Sequence, residues 1–155
     1  VAATSAGIVL FRRAGDAIEV LLVHPGGPFW AKKDLGAWSV PKGEYAEGEE
    51  EPLACALREL EEELGAPPEL DPDKLIDLGS VRQKSGKVVH CWAAEADFDP
   101  ATLHSNTFTI EWPPRSGRER EFPEVDRAEW FGLDQAGEKI NPAQAELLAR
   151  LLAIT

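Results

Sequence analysis

Residues 43–66 read GEYAEGEEEPLACALRELEEELGA, and the charge packed into them decides what the rest of the chain has to be. Nine glutamates lie between Glu44 and Glu63, with Arg58 as the only base. Like charges one helical turn apart destabilise a helix by roughly 0.2–0.5 kcal/mol per pair, so the cluster needs a physical reason. Leu53, Leu57, Leu60 and Leu64 form one stripe at a helical step, which predicts a helix from Pro52 to Leu64. Proline suits the first turn, where its missing N–H costs nothing. Gly65 stops the helix, and Pro67 and Pro68 prevent its resumption. Glu59, Glu62 and Glu63 stand at i, i+3 and i+4 and share a face beside the leucine stripe. The leucines can pack on a sheet while the carboxylates face a cleft. A hard divalent cation such as Mg²⁺ takes oxygen ligands, few of them from protein, and would remove the repulsion. The competing reading is a solvated acidic helix face.

The flanks of this helix read as strands and turns. Residues 5–13 (SAGIVLFRR) and 17–25 (AIEVLLVHP) are apolar runs joined by the turn signal Ala14-Gly15-Asp16, a plausible hairpin. Residues 26–43, rich in Gly, Pro, Lys and Trp, read as a loop with a short strand at 37–40. Residues 75–83 and 87–98 read as two strands around a turn at 84–86. Residues 107–112 alternate and read as another strand, 113–121 as a polar, partly basic loop, and 127–131 as a short strand. Asn141-Pro142 opens a last helix, with Leu147, Leu148, Leu151 and Leu152 expected on its buried side. Strands mixed with two main helices predict an α/β domain with helices packed on a mixed sheet.

The totals agree. A chain of 155 residues with 43% hydrophobic and 28% charged residues suggests a single folded domain, 1–155. The net charge of −12 argues against a nucleic-acid polymer as partner, because such binding needs a basic face. It leaves room for a small anionic ligand if a cation mediates the contact. No apolar run approaches the length of a membrane span and no secretory signal is visible; with Val1 first and no Met, the expectation is that the native start has been removed, a targeting peptide with it being the alternative. Cys55 and Cys91 have no metal-type spacing and read as free thiols in a reducing compartment, with a single disulfide as the alternative.

Residues 43–66 resemble the Nudix box: Gly, five residues, Glu, seven residues, Arg-Glu, an aliphatic, any residue, Glu-Glu, any residue, Gly, an aliphatic. Arg58, Glu59, Leu60, Glu62, Glu63 and Gly65 match without a gap, and Ala66 stands for the last aliphatic. Gly43 and Arg58 are one residue too far apart. Counting back from Arg58 gives Glu50 as the box glutamate, and counting forward from Gly43 gives Glu49. Pro52 fixes the helical side of the register, so Glu50 is preferred and the extra residue falls in the loop 44–49. SAGIVLFRR, VLLVHP, WSVPKGEY and EVDRAEWF resemble the flanking segments of Nudix proteins, in family order, so the resemblance covers most of the chain.

The resemblance implies an α/β/α sandwich with a mixed sheet between helices. It implies a Mg²⁺-dependent pyrophosphohydrolase, with Mn²⁺ able to substitute. Glu59, Glu62 and Glu63 become the expected metal ligands, joined by the backbone carbonyl of Lys42. Glu59, Glu62 and Glu124 become the candidates for catalytic carboxylates. Gly43, Glu50, Arg58 and Gly65 are expected to shape the box, with Arg58 gripping Glu50 through two hydrogen bonds. For substrate binding, the side chain of Lys42 is expected at a phosphate, Trp30 on a nucleobase, and Lys32 and Lys87 as weaker cationic contacts. Lys33 and Lys84 are weaker candidates of the same kind, the competing reading for all four lysines being ordinary solvation, and Arg115, Arg118 and Arg120 are candidates for a phosphate-gripping loop. Trp38, Trp92 and Trp130 read as core, and His24, His90 and His104 as structural or surface residues.

The Pro-Lys-Gly run before the box resembles the diadenosine tetraphosphate hydrolase branch. A dinucleoside polyphosphate is therefore the expected substrate. A MutT-like nucleoside triphosphate pyrophosphohydrolase acting on oxidised or non-standard nucleotides is the alternative. A catalytically silent Nudix-fold nucleotide-binding module is the competitor from another class, and the retained box glutamates count against it. The expected setting is the cytoplasm, as monomer or homodimer.

Overall fold

The computed structural model describes residues 4–155; residues 1–3 lie outside it. In β1 (Thr4–Ala14) and β2 (Ala17–Pro25) almost every residue of the apolar run is buried, because both faces of the sheet are covered. Val9 and Phe11, with Val20 and Leu22, face one core cluster. Ala6, Ile8 and Leu10, with Leu21 and Val23, face the other. This is the period-2 alternation of a strand with two apolar sides. Fully burying each such side chain contributes about 1.5–3 kcal/mol.

The main sheet has the order β4-β5-β1-β2-β8, with β3 also on β1. β4 spans Ile76–Arg82, β5 Val88–Glu95 and β8 Val125–Gly132. β1 runs parallel to β5 and antiparallel to β2 and β3, so the sheet is mixed. α1 (Pro52–Leu64) covers the face that holds Leu10 and Leu21, through Cys55, Ala56, Leu60 and Leu64. Leu53 and Leu57 sit at the edge of that contact, half-buried. α2 (Leu133–Lys139) and α3 (Ala145–Ile154) cover the opposite face through Ala136, Leu147, Leu148 and Leu151. The layers are helix, sheet, helices, as the family resemblance implies. Both cysteines are buried and free.

Several local expectations need correction. The strand expected at 37–40 is only a pair of isolated bridges, Val23 with Ser39 and Trp38 with Ile140. The strand proper, β3, is Lys42–Tyr45, pairing with the first half of β1. The end of the basic loop is β7 (Glu119–Pro123), which forms a separate two-stranded sheet with β6 (Thr107–Glu111). Its alternating Glu and Arg are all exposed, so no apolar run marks it. α2 was not expected: seven residues with Gly137 inside carry too little periodicity. Leu152 is 60% exposed, because the buried stripe of α3 runs through Leu147, Leu148 and Leu151. Trp38 is core, whereas Trp92 and Trp130 are half-buried at the margin of the second cluster.

Candidate active site

Lys42, Gly43 and the carboxylate face of α1 come together because β3 is laid across the helix by its pairing with β1. Registers Gly7 with Lys42 and Ala6 with Gly43 place β3 alongside α1, with Gly43 near both Cys55 and Glu59. The approach is so close that a Cβ on Gly43 would sit 1.9 Å from Cδ of Glu59. Gly43 is therefore needed for space: its missing side chain is the place that the Glu59 carboxylate occupies. At the far end of α1, Gly65 adopts φ +87° and donates its N–H to the Glu61 carbonyl, ending the helix. A Cβ there would also lie 2.4 Å from the His104 carbonyl oxygen.

Arg58 binds three carboxylates. Its Nε and Nη2 donate to both oxygens of Glu50 at 2.9 and 2.8 Å, and Nη1 reaches Glu59 at 3.1 Å and Glu62 at 3.2 Å. Glu50, not Glu49, is the carboxylate that the arginine grips, and the extra residue lies in the loop before it. The paired guanidinium holds the Glu50 carboxyl below the usual carboxylate range.

The remaining charge is not compensated in this way. Glu63 lines a cleft beside Lys42, where burial first, and the neighbouring Glu59 charge second, push its carboxyl up to about 8 against the pull of the Lys42 cation. Glu59 is raised by burial and by Glu62, with Arg58 opposing. Glu124 is raised by burial and by Glu62. Lys42 is lowered by burial and by the Lys87 charge, with Glu63 opposing. A cavity of about 130 Å³ lies here, lined by Val23, Pro25, Ser39, Lys42, Glu63, Glu124 and Val125.

Glu124 reaches the box through main-chain bonds. The Asn106 N–H donates to the Glu62 carbonyl at 2.8 Å, the Glu124 N–H to the Asn106 carbonyl at 2.8 Å, and the Gly26 N–H to the Glu124 carbonyl at 2.9 Å. Gly26 permits this crossing, since a Cβ on it would lie 2.0 Å from the Pro123 carbonyl oxygen. Asn106 and Gly26 were not singled out from sequence; each acts through its backbone, which leaves no side-chain signature.

The other expected binding residues are dispersed. Lys87 pairs with Glu44 at 3.0 Å beside Lys42. Trp30 is 39% exposed in the 26–36 loop with the Lys33 ammonium over its ring at 4.9 Å, and Lys32 is exposed in the same loop. Neither Trp30 nor Lys32 lines the cavity. Arg115, Arg118 and Arg120 are exposed on the β6–β7 hairpin, Arg120 lying over Phe122.

The oxygen-only donor set suits a hard divalent cation, and the strongest argument for the fit is Glu63, a carboxylate held among other carboxylates with only Lys42 to offset it. Among the described residues no three Asp, Glu, His or Cys side chains already form a metal cage. Glu59 and Glu62 spend oxygens on Arg58 instead.

The family model of the NUDIX domain matches residues 2–151. The chain belongs to the Nudix family. It is a Nudix hydrolase, of a family that acts on phosphoanhydride bonds. No curated protein gives a significant sequence match. Among solved structures, this Nudix hydrolase is similar to an Ap4A hydrolase of C. elegans in a binary complex, with TM-score 0.64 and 22% identity over 97% of this chain and 96% of that one. It is similar to the NUDIX domain of NrtR from Shewanella oneidensis complexed with ADP ribose, with TM-score 0.64 and 21% identity over 99% and 88% of the two chains. A mutT/nudix family protein from Listeria innocua matches with TM-score 0.62 and 16% identity over 98% and 92%. At these identities the likeness is one of fold.

Proposed function

We propose that this Nudix hydrolase is Mg²⁺-dependent and cleaves a phosphoanhydride in a nucleoside diphosphate linked to another group, with a dinucleoside polyphosphate such as diadenosine tetraphosphate as substrate. The observation that carries the reading is Glu63, half-buried beside Glu59 and Glu124 and short of positive charge. Glu59, Glu62, Glu63 and the Lys42 carbonyl are the groups that would hold the cation. Bound there, it supplies Lewis acidity toward phosphate oxygens and water.

The chain's own residues supply the rest. Arg58 and Glu50 brace the loop before α1, so that Glu59 and Glu62 keep their places. Glu124, with its raised proton affinity, accepts the proton of the attacking water, with Glu59 and Glu62 as the other carboxylates in reach. The Lys42 ammonium meets a phosphate oxygen at the cavity. Lys87 reinforces that positive edge, and Trp30 and Lys32 meet the nucleoside end of the substrate from the 26–36 loop.

The choice of dinucleotide is supported by the fold likeness to an Ap4A hydrolase along nearly the full length of both chains. A MutT-like triphosphate pyrophosphohydrolase is the second reading, favoured by the likeness to mutT/nudix proteins. We place the protein in the cytoplasm as a single domain, monomeric or dimeric; its buried free thiols suit a reducing compartment. No helix among the described residues is long and apolar enough to cross a membrane.

The test is turnover of dinucleoside polyphosphates, ordinary and oxidised nucleoside triphosphates, ADP-ribose and nucleotide sugars with Mg²⁺, products separated by chromatography. Two nucleotides released from diadenosine tetraphosphate support the first reading. A monophosphate and pyrophosphate from a triphosphate support the second. Silence across the panel with both Mg²⁺ and Mn²⁺ favours a binding module.

A further inference from the structure

His24 is fully buried at the end of β2, and both of its ring nitrogens are engaged. Nε2 lies 2.7 Å from the Lys33 carbonyl oxygen, and Nδ1 lies 2.7 Å from Asp126 Oδ1. A carbonyl can only accept, so Nε2 carries a hydrogen. The short contact between Nδ1 and the carboxylate needs one more proton, whichever atom holds it. The imidazole therefore ties two segments together at once.

The strand geometry delivers Asp126 to the ring. Pairing of β2 with β8 slips between His24 and Pro25: His24 faces Arg127 while Pro25 faces Val125, which leaves Asp126 as the extra residue. A bulge of this kind re-aims a side chain. On the other side, Lys33 belongs to the 26–36 loop that carries Trp30 and Lys32. The end of that loop is held again where the Trp38 indole donates to Asp34 at 2.8 Å. His24 packs edge-on against the same indole, with ring centroids 5.1 Å apart. Glu124, by contrast, is held without His24. Its main chain is bonded to Gly26 and Asn106, and the next amide donates to Ser105 Oγ at 3.2 Å.

We propose that His24 is a positioning residue that latches the 27–36 segment of the loop onto β8 through Asp126, so that this segment presents the substrate-binding edge of the cleft, while Gly26 stays bonded to Glu124. The inference rests on the reading in which Trp30 and Lys32 meet the substrate. It separates two effects: cutting the latch moves the loop and leaves Glu124 in place.

The experiment compares Asp126→Ala, which removes the acceptor, with Asp126→Asn, which keeps an oxygen for Nδ1. Amide hydrogen exchange is followed across the chain in the full protein, and kcat and KM are measured on the best substrate of the panel. For Asp126→Ala, exchange within residues 27–36 should speed up about tenfold, and KM should rise about tenfold with kcat within about threefold, as expected for a lost charge-assisted hydrogen bond. Asp126→Asn should restore both. His24→Gln, which keeps a donor for the Lys33 carbonyl, should loosen the loop less than His24→Ala. Unchanged exchange in 27–36 overturns the proposal. So does a loss confined to kcat, or exchange that rises throughout the sheet together with the loop. If the wild-type protein turns over nothing in the panel, the substrate reading falls, and the exchange comparison still decides the latch.

Discussion

Gly43 and Glu59 share one space: the carboxylate of Glu59 occupies the position that any side chain at residue 43 would need, with only 1.9 Å between a would-be Cβ and Glu59 Cδ. Glu59 is one of the carboxylates proposed to hold the cation, and its side chain is 12% exposed. Gly43→Ala should therefore push Glu59 out of place while the sheet and α1 survive. The expected outcome is a fall in activity of about 10–100-fold, the size seen when a metal ligand loses its support. Circular dichroism should stay native. Activity within about twofold of wild type would show that Glu59 has freedom the close approach denies it.

Arg58 distinguishes Glu50 from Glu49. Glu50→Gln removes the charge from a two-pronged pair and should lower activity about tenfold by loosening the loop before α1. Glu49→Gln, on an exposed residue of the same loop, should be neutral within about twofold. Steady-state rates on the same substrate check both. Equal losses would mean that the register of the box is not set by Arg58.

Glu63 links pH to stability. Its folded-state pKa of about 8 lies above the ordinary value of 4.5. A raised folded pKa means that the folded state binds the proton more tightly than the unfolded state does. Its contribution to stability is thus fully present below pH 4.5 and is lost as pH rises through about 8. Between pH 5 and pH 8.5 the metal-free protein should lose Tm from this group. Mg²⁺ or the substitution Glu63→Gln should flatten the trend. Thermal melts across this window check it; an identical slope in wild type and Glu63→Gln would remove Glu63 as its source.

The cysteines should be quiet. Burial pushes the Cys91 thiol up to about 12, and the Cys55 thiol is also raised by burial. The thiolate is the reactive form, so a disulfide-exchange reagent at pH 8 should react slowly with the native protein and rapidly with both cysteines in denaturant. Fast reaction of both in the native state would contradict their burial.

How much of this was legible in sequence follows from where the signal lies. α1 was readable because its apolar stripe, its Pro52 start and its Gly65 stop all agree. β1 and β2 were readable because both of their faces are buried. Arg58 pointed to Glu50 because the helical side of the box has no gap. β3 was hidden because Lys42, Gly43 and Glu44 have no strand pattern of their own; β1 imposes the strand through backbone pairing. β7 and α2 were hidden for the matching reasons of exposure and shortness. The route that carries Glu124 to the box passes through the backbones of Asn106 and Gly26, and backbone bonds write nothing into side-chain identity. The His24–Asp126 link needs a strand bulge, which the histidine alone does not announce.

The carboxylates around Glu63 are proposed to bind a divalent cation for the cleavage of phosphoanhydrides. Mn²⁺ binding, read by the loss of the free-ion electron paramagnetic resonance signal, should be measured on wild type and Glu63→Gln, with hydrolysis assayed on the same samples. Wild type is expected to bind Mn²⁺, to hydrolyse substrate and to stop in excess chelator. Glu63→Gln should lose binding and fall at least about a hundredfold in rate. Undiminished Mn²⁺ binding and rate in Glu63→Gln, or turnover that persists in excess chelator, would contradict it.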